Sequence, residues 1–344
     1  MGAIKVSVII PVYNAQAHLA HTLDALLAQS LEQIELIAVD DGSKDDSGKI
    51  LDQYAKDNSH LHIIHQPNGG EWQARESGIR MAVGEYIAFC DSDDLPLPEC
   101  YEKMYEAAKK NESDMVVCTY IREERETGKV LSHEMLSLAG RTIDLQKDPT
   151  VYSSINTAAW NKMFRAELLQ NRLVLKAPPR MMGDIFLMAS LLPFVKRVTI
   201  IPDMLYRYMV RKDSLIFSLT SNDMPPLEKN MIEVRHYVQQ ATERDVILPT
   251  LDAMAFIFFG ISIVLRRVQN GEKTSMVLRE ARILLEKHFP LYKKPHYGII
   301  WNMRNDGIMF KPLVVLSCFR LKLMHPLLSI YRFITEKLHH EIKW

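Results

Sequence analysis

Apolar and polar positions along the chain predict strands and helices in alternation. The stretch VSVIIPVYNAQAHL begins with a short Val- and Ile-rich run and stops at Pro11, which predicts a buried strand. Leu19, Leu23, Leu26 and Leu27 then fall at helical spacing within Ala15 to Gln29. The same alternation continues, with strands predicted over Ile34 to Val39, His62 to His65, Tyr86 to Cys90 and Asp114 to Tyr120. Helices are predicted over Ser47 to Ala55, Glu71 to Val83 and Pro98 to Lys110. Such an order gives an α/β fold, a Rossmann-like, mainly parallel sheet flanked by helices. Beyond Glu123 the pattern loosens into polar loops at Glu123 to Lys129 and Asp144 to Thr150, with helical stretches near Trp160 to Gln170 and Asp184 to Leu192. From Pro225 onward the pattern is helical, which divides the chain into residues 1–220 and a helical C-terminal region, residues 221–344.

Ligands of open α/β sheets lie off the carboxyl ends of the strands, which makes Pro11 to Asn14 a candidate site. The plainer alternative is that Pro11 ends a strand and Asn14 caps a helix. Two C-terminal stretches raise the question of a membrane. Ala253 to Leu265 is apolar for only 13 residues before Arg266 and Arg267, short of the roughly 20 that span a bilayer, and reads as a buried helix. The tail from Ile308 to Trp344 holds 6 Lys and Arg against 2 Asp and Glu among large apolar residues. It fits a helix lying in the membrane interface, or else a helical core or dimer face.

Composition narrows this little: 47% apolar and 24% charged residues are ordinary for a globular protein. Cys90, Cys100, Cys118 and Cys318 have neither metal-ligand spacing nor a dense disulfide pattern, which fits the reducing cytoplasm. No basic and then apolar leader precedes Val6, so no secretory signal is expected. Charge is more informative. The first 110 residues hold 9 Lys and Arg against 18 Asp and Glu, and the remaining 234 hold 33 against 24. An acidic front takes an anionic nucleotide only through a divalent cation, whereas a basic back suits an anionic partner or membrane surface. Zero net charge without a basic cluster in the front argues against a nucleic-acid partner.

Two predicted strand ends carry acids, DDGSKDD at Asp40 to Asp46 and DSDD at Asp91 to Asp94. Adjacent carboxylates repel, and a hard Mg²⁺ or Mn²⁺ bridging them to a diphosphate relieves the repulsion. DDGS alone is also an ordinary Asp-Gly turn. DSDD after the apolar run YIAFC is a less natural turn.

The motifs VSVIIPVYN, AVDDGSKDDS, NGG with ARESG, and GEYIAFCDSDD, in that order, resemble the family-2 glycosyltransferases of the GT-A fold, bacterial members especially. WNKMFR, MGDIFLM and YRYMVRKDSL resemble segments of capsule and exopolysaccharide members, so the resemblance covers about residues 4–218. It implies that Pro11 and the backbone at Val12 face uracil, with Tyr13 beside them, and that Asp40 accepts from the base, with Asp41 alongside. Arg75 would approach the nucleotide or diphosphate, Asp91 with Ser92 the ribose or sugar, and Asp93 would ligate Mn²⁺ or Mg²⁺. Asp184 takes the place of the general base. Trp160, Asn161 and Lys162 would shape the acceptor or sugar site, with Tyr206, Arg211 and Ser214 as weaker candidates. For Trp160 the alternative is a tryptophan packed in the core. Gly183 stands where glutamate is common, and Glu76 where asparagine usually follows the arginine. His18 and His65 are assigned to structure, since neither has a metal-spaced partner.

The implied activity is inverting transfer of a sugar from a nucleotide diphosphate sugar to a glycan acceptor, lipid-linked, at the cytoplasmic membrane face. Two alternatives stand beside it. A nucleotidyltransferase would carry a glycine- and basic-rich loop after the first strand, and PVYNAQAHL has none. An inactive membrane-associated scaffold would not need Asp40, Asp91, Asp93 and Asp184.

Overall fold

The computed structural model of the chain describes residues 3–172, 182–210, 219–241, 245–293 and 317–319, and positions 321, 323, 324, 326 and 328. Arg211, Ser214 and most of the basic tail, including Lys311, Arg320, Lys322, Arg332, Lys337 and Lys343, lie outside the described residues. The chain divides into two compact units. One comprises Met1–Lys147 and Asn156–Ser214, the other Asp148–Ile155 and Leu215–Trp344. The segment Asp148–Ile155, expected in the first domain, thus belongs to the second unit.

The first unit alternates β1 (Val6–Val12), α1 (Leu19–Leu27), β2 (Ile34–Asp40), α2 (Ser47–Asp57), β3 (Leu61–His65), α3 (Glu71–Met81) and β4 (Tyr86–Phe89). There follow β5 (Leu95–Pro96), α4 (Cys100–Asn111), β6 (Met115–Glu124), β7 (Val130–Glu134), β8 (Arg141–Asp144), β9 (Lys162–Arg165), α5 (Ala166–Arg172), α6 (Gly183–Leu191) and β10 (Arg197–Val210). Among the described residues these strands form one 10-stranded sheet in the order β3-β2-β1-β4-β9-β6-β10-β5, with β7 beside β6 and β8 beside β10. β3, β2, β1 and β4 are parallel. Every residue of β1, β2 and β4 is buried. A strand covered on both faces reads as a nearly continuous apolar run, which is why these three were visible in the sequence. Burying each leucine of the α1 stripe, Leu19, Leu23 and Leu26, contributes about 1.5–3 kcal/mol. The one polar residue within β1, Ser7, is satisfied: its hydroxyl donates to Glu35 and accepts from Gly84 N–H at 2.8 Å.

The other half of the sheet departs from expectation. Lys162–Arg165, within a stretch expected to be helical, is strand β9, antiparallel to both β4 and β6. Met163 and Phe164 are adjacent and both fully buried, so this strand shows neither alternation nor helical spacing. The helical signal of Leu168 and Leu169 belongs to α5. The polar stretch Glu123 to Lys129 contains the turn of the β6–β7 hairpin. Strand β10, 14 residues long, had no counterpart in the apolar pattern. Pro202 lies where its register against β6 shifts between Ile201 and Met204, an irregularity that masks the strand. The sheet is therefore parallel on one side and mixed on the other.

In the second unit, α7 (Met224–Ala241), α8 (Ile247–Ala255), a π-helical segment (Phe256–Ile263), α9 (Val264–Gln269) and α10 (Thr274–His288) follow in order. Ile247–Gln269 is one helix of 23 residues, longer than the 13-residue apolar run predicted. Its length and mean hydropathy of 2.0 match a membrane-crossing helix, yet 78% of its most apolar window is buried. Asp252 on α8 is fully buried and accepts from Arg235 at 2.8 Å and from Leu291 N–H at 2.8 Å.

Candidate active site

Strand register brings the acidic motifs to one edge of the parallel sheet. Val12 lies opposite Asp40, and Asp40 opposite His65. β4, on the other side of β1, ends at Phe89, two residues before Asp91. The loop after β1 is stitched to the loop after β2. Asn14, at φ 50°, accepts from Lys44 N–H at 2.8 Å, and its own N–H donates to Ser43 Oγ at 3.1 Å. Asn14 therefore caps no helix. Tyr13, beside it, is 45% exposed.

The two aspartates ending β2 do different work. Asp40 accepts from Ser43 N–H at 2.9 Å and from His65 Nδ1 at 3.0 Å, and His65 Nε2 reaches Asp52 at 3.1 Å. Burial pushes Asp40 up, but the donors of Ser43 and His65 outweigh it and hold the carboxyl below its usual range. Asp41, expected to face the nucleotide, is turned into the protein. Its carboxylate accepts from Gln66 at 2.8 Å, Asn68 at 3.1 Å, Gly69 N–H at 2.9 Å and Gly70 N–H at 2.7 Å. It holds the Gln66–Gly70 loop in shape. Gly42 (φ 70°) allows this, because a Cβ there would lie 2.8 Å from Asn68 N.

That loop delivers α3, and α3 carries the centre of the site. Glu71 opens the helix, where its charge suits the helix dipole, and Arg75 one turn later reaches it at 2.6 Å. The Arg75 guanidinium is buried, lies over the Phe89 ring at 5.3 Å, and binds Asp91 Oδ1 at 3.1 Å and Asp184 Oδ1. One cation thus joins three carboxylates from α3, the end of β4 and α6. Burial and the neighbouring carboxylates push Asp91 up to about 8 against the opposing pull of Arg75, and push Glu71 upward too. Asp93 adds its charge to both.

The DSDD loop is anchored from below by its last acid. Asp94 is fully buried and accepts from Tyr206 OH at 3.0 Å and from Met209 N–H at 2.9 Å, both on β10. Ser92 carbonyl accepts from Thr22 at 3.1 Å, which ties the same loop to α1. Arg125, in the β6–β7 turn, donates to the Asp93 carbonyl. Trp160 stacks on Tyr206 and Tyr208 at 4.8 and 5.0 Å and meets Tyr120 edge-on at 4.6 Å. This aromatic cluster connects β10 and β6 to the segment preceding β9.

Asp184 enters from the first turn of α6, after Met182 in the left-handed conformation at φ 62°. Its second oxygen accepts from Ala159 N–H at 3.1 Å. Gly183 packs beneath Trp72: an added Cβ would lie 3.3 Å from Trp72 Cε3. Glu71, next to Trp72, supplies a further carboxylate to Arg75. Asn161 and Lys162, expected to shape the acceptor or sugar site, are fully buried. Asn161 donates to Cys118 O at 3.0 Å, so both residues support the site from underneath.

Whether a divalent cation fits is decided by charge and donor type. Glu71, Asp91 and Asp184 share one guanidinium, and Asp93 adds a fourth carboxylate nearby, so the site carries surplus negative charge on hard oxygen donors. Among the described residues no group of three or more His, Cys, Asp or Glu is arranged to hold a metal alone. A cation here would take Asp93 and complete its shell with phosphate oxygens, as Mg²⁺ commonly does.

The structure thus gathers Pro11, Val12, Tyr13, Asp40, Arg75, Asp91, Ser92, Asp93, Trp160 and Asp184 into the first unit's sheet edge and its adjoining loops, with Asp41, Asn161 and Lys162 beneath them. Glu71 and Arg125 were missed, and Asp94 was read only as a member of the DSDD cluster, with no role of its own. Glu71 had a sequence signal, its four-residue spacing from Arg75; Arg125 had none.

Residues 7–173 match the family Glycosyl transferase family 2. EpsH of Bacillus subtilis (strain 168), a protein named as a glycosyltransferase, is 32% identical over 218 residues, 61% of this chain and 62% of EpsH. A poly(ribitol-phosphate) beta-glucosyltransferase of Bacillus spizizenii is 32% identical over 215 residues, 61% of this chain and 33% of that protein. The chain thus spans less than two thirds of either relative. Among solved structures, S. aureus TarS 1-349 in complex with UDP superposes with a TM-score of 0.66 at 18% identity, covering 98% of this chain and 93% of TarS 1-349. That likeness shows a shared fold.

Proposed function

We propose, from the match of residues 7–173 to Glycosyl transferase family 2, that the protein is an inverting, metal-dependent glycosyltransferase. It moves a sugar from a UDP-sugar to a glycan acceptor, lipid-linked, during synthesis of a bacterial cell-surface polysaccharide. The observation that carries this reading is the buried Arg75 guanidinium bridging Asp91 of the DSDD loop to Asp184. It links the donor side of the site to the acid on its far side. The poly(ribitol-phosphate) glucosyltransferase relative and the UDP complex of TarS support the substrate class.

Pro11, Val12 and Tyr13 wall the nucleoside, and Asp40, held by Ser43 and His65, accepts from the base. Asp91 and Ser92 face the ribose or sugar. Mn²⁺ or Mg²⁺, held by Asp93, supplies charge neutralisation of the diphosphate when bound. Arg75 stabilises the negative charge that grows on the leaving diphosphate, and its burial strengthens that effect. Asp184 takes the proton from the acceptor hydroxyl as the oxygen attacks the anomeric carbon from the opposite face, which inverts the configuration. Arg75 and Ala159 N–H hold both Asp184 oxygens, so the base is oriented before the acceptor arrives. Trp160, stacked between tyrosines, lies in the segment that includes Ala159 and sets the acceptor side. The basic tail keeps the enzyme at the cytoplasmic face of the membrane, beside its acceptor.

The test is a panel of nucleotide sugars screened for release of nucleoside diphosphate with Mn²⁺, Mg²⁺ or chelator. The reading expects one UDP-sugar to be turned over only with metal. Metal-independent release would overturn the metal assignment, and release of inorganic pyrophosphate from a nucleoside triphosphate instead would replace the reading with the nucleotidyltransferase alternative.

A further inference from the structure

We propose that Lys162 is a positioning residue for Asp184, acting through the single peptide group between Ala158 and Ala159. The proposal rests on the reading of Asp184 as general base. Lys162 heads β9, opposite Val117 of β6, and is fully buried. Its Nζ donates to Ala158 O at 2.6 Å, to Asn156 Oδ1 at 2.6 Å and to Asn161 Oδ1 at 2.9 Å. The other end of the Ala158–Ala159 peptide is the N–H that donates to Asp184 Oδ2 at 3.1 Å. A peptide group is planar and strongly dipolar. An ammonium on its carbonyl oxygen draws electron density toward that oxygen and makes the N–H a stronger donor. Lys162 thereby delivers part of its positive charge to Asp184 without touching it.

The surroundings of Lys162 favour this role over simple packing. Its three acceptors are neutral oxygens, matching the three N–H donors of an ammonium, whereas a neutral amine would turn its lone pair toward one of them. Burial pulls the lysine down, and the Asp184 charge holds part of that shift back, leaving it lowered to about 7. A methionine would fill the same space at no desolvation cost, so what the lysine adds is charge. The groups facing the pair are few. Asp184 meets Arg75 from α3, with Glu71 and Asp91 on the same guanidinium. Lys162 feels Asp184 and, more weakly, Cys118 of β6.

The experiment uses the full chain carrying Lys162→Met or Lys162→Gln, with UDP and UDP-GlcNAc as probes. In either variant the Ala159 amide proton should move upfield and exchange about tenfold faster. UDP affinity should stay unchanged. kcat for UDP release should fall about tenfold, and the acid limb of the pH profile should move upward. Because a Lys162 variant can fail to fold, Asp184→Asn supplies a second arm. By reciprocity it should lower the titration midpoint of the Lys162 ammonium, read by ¹⁵N NMR. An Ala159 amide and acid limb unchanged in the Lys162 variants, or a Lys162 titration unmoved in Asp184→Asn, would overturn the proposal. If the wild-type chain releases UDP from no nucleotide sugar, the glycosyltransferase reading fails, while the amide and the ammonium titration still decide the coupling.

Discussion

The two acidic strand ends, DDGSKDD and DSDD, look alike in sequence and are built in opposite ways. In the first, the carboxylates are met by the chain's own donors. Asp41 takes four hydrogen bonds from the Gln66–Gly70 loop, and Asp45 accepts from Gln16 N–H and Ser47. Asp40 and Asp45 accordingly lie below the usual carboxylate range. In the second, Asp91 shares one arginine with Glu71 and Asp184, and burial with mutual repulsion pushes Asp91, Asp94 and Glu71 upward. A cluster of acids is thus a scaffold where donors outnumber charges, and a ligand site where charges outnumber donors. In the proposed function the first cluster frames the nucleoside, and the second keeps charge for a cation and a diphosphate to resolve.

That contrast can be broken most forcefully at Arg75. Arg75→Met should abolish turnover and lower stability by about 3–5 kcal/mol, because it leaves three carboxylates around an uncharged centre. Denaturant unfolding together with UDP release would check both effects. Asp93→Asn should reduce turnover by at least about a hundredfold while leaving the unfolding midpoint unchanged or slightly raised, since it removes repulsion as well as the ligand. Equal turnover at matched metal concentration would remove Asp93 from the site. On the scaffold side the balance reverses. Asp41→Ala should cost about 2–3 kcal/mol of stability by orphaning loop donors, with turnover per folded molecule falling less than in Asp93→Asn. If its turnover loss instead matched that of Asp93→Asn, the distinction between the clusters would fail.

The smallest effect lies at His65, which is half exposed between Asp40 and Asp52. Its bonds to both acids raise its pKa above the ordinary histidine value. Stabilisation from a raised group is complete below the unfolded value of about 6.5 and fades as pH rises through the folded value. Wild type should therefore exceed His65→Gln in stability by up to about 1 kcal/mol at pH 5. The gap should narrow as pH climbs above neutrality. A gap constant from pH 5 to pH 9 would mean that the histidine contributes no charge.

Legibility in the sequence followed the same physics. β1, β2 and β4 were readable because full burial leaves nearly continuous apolar runs, and the acids at the ends of β2 and β4 were readable because two short motifs place them. β9 was not, since Met163 and Phe164 are too few to show a period. β10 was hidden by Pro202 and its shifted register. Within the site, the resemblance pointed to Arg75 and Asp184, and only the fold revealed that they touch. Asp41, Asn161 and Lys162 were expected to face ligands and instead support the site from within. That distinction depends on burial, which residue type alone does not encode. Asp94 and Arg125 act through contacts across 112 and 32 residues of chain, separations that no local motif reports.

The most direct test of the central claim, that the DSDD cluster with Arg75 is the ligand-seeking one, is calorimetric titration of the full chain with UDP, with and without Mn²⁺. The account predicts tight binding only with the metal, loss of that binding in Asp93→Asn, and its retention in Asp184→Asn. Binding of equal strength without metal, or undiminished in Asp93→Asn, would contradict it.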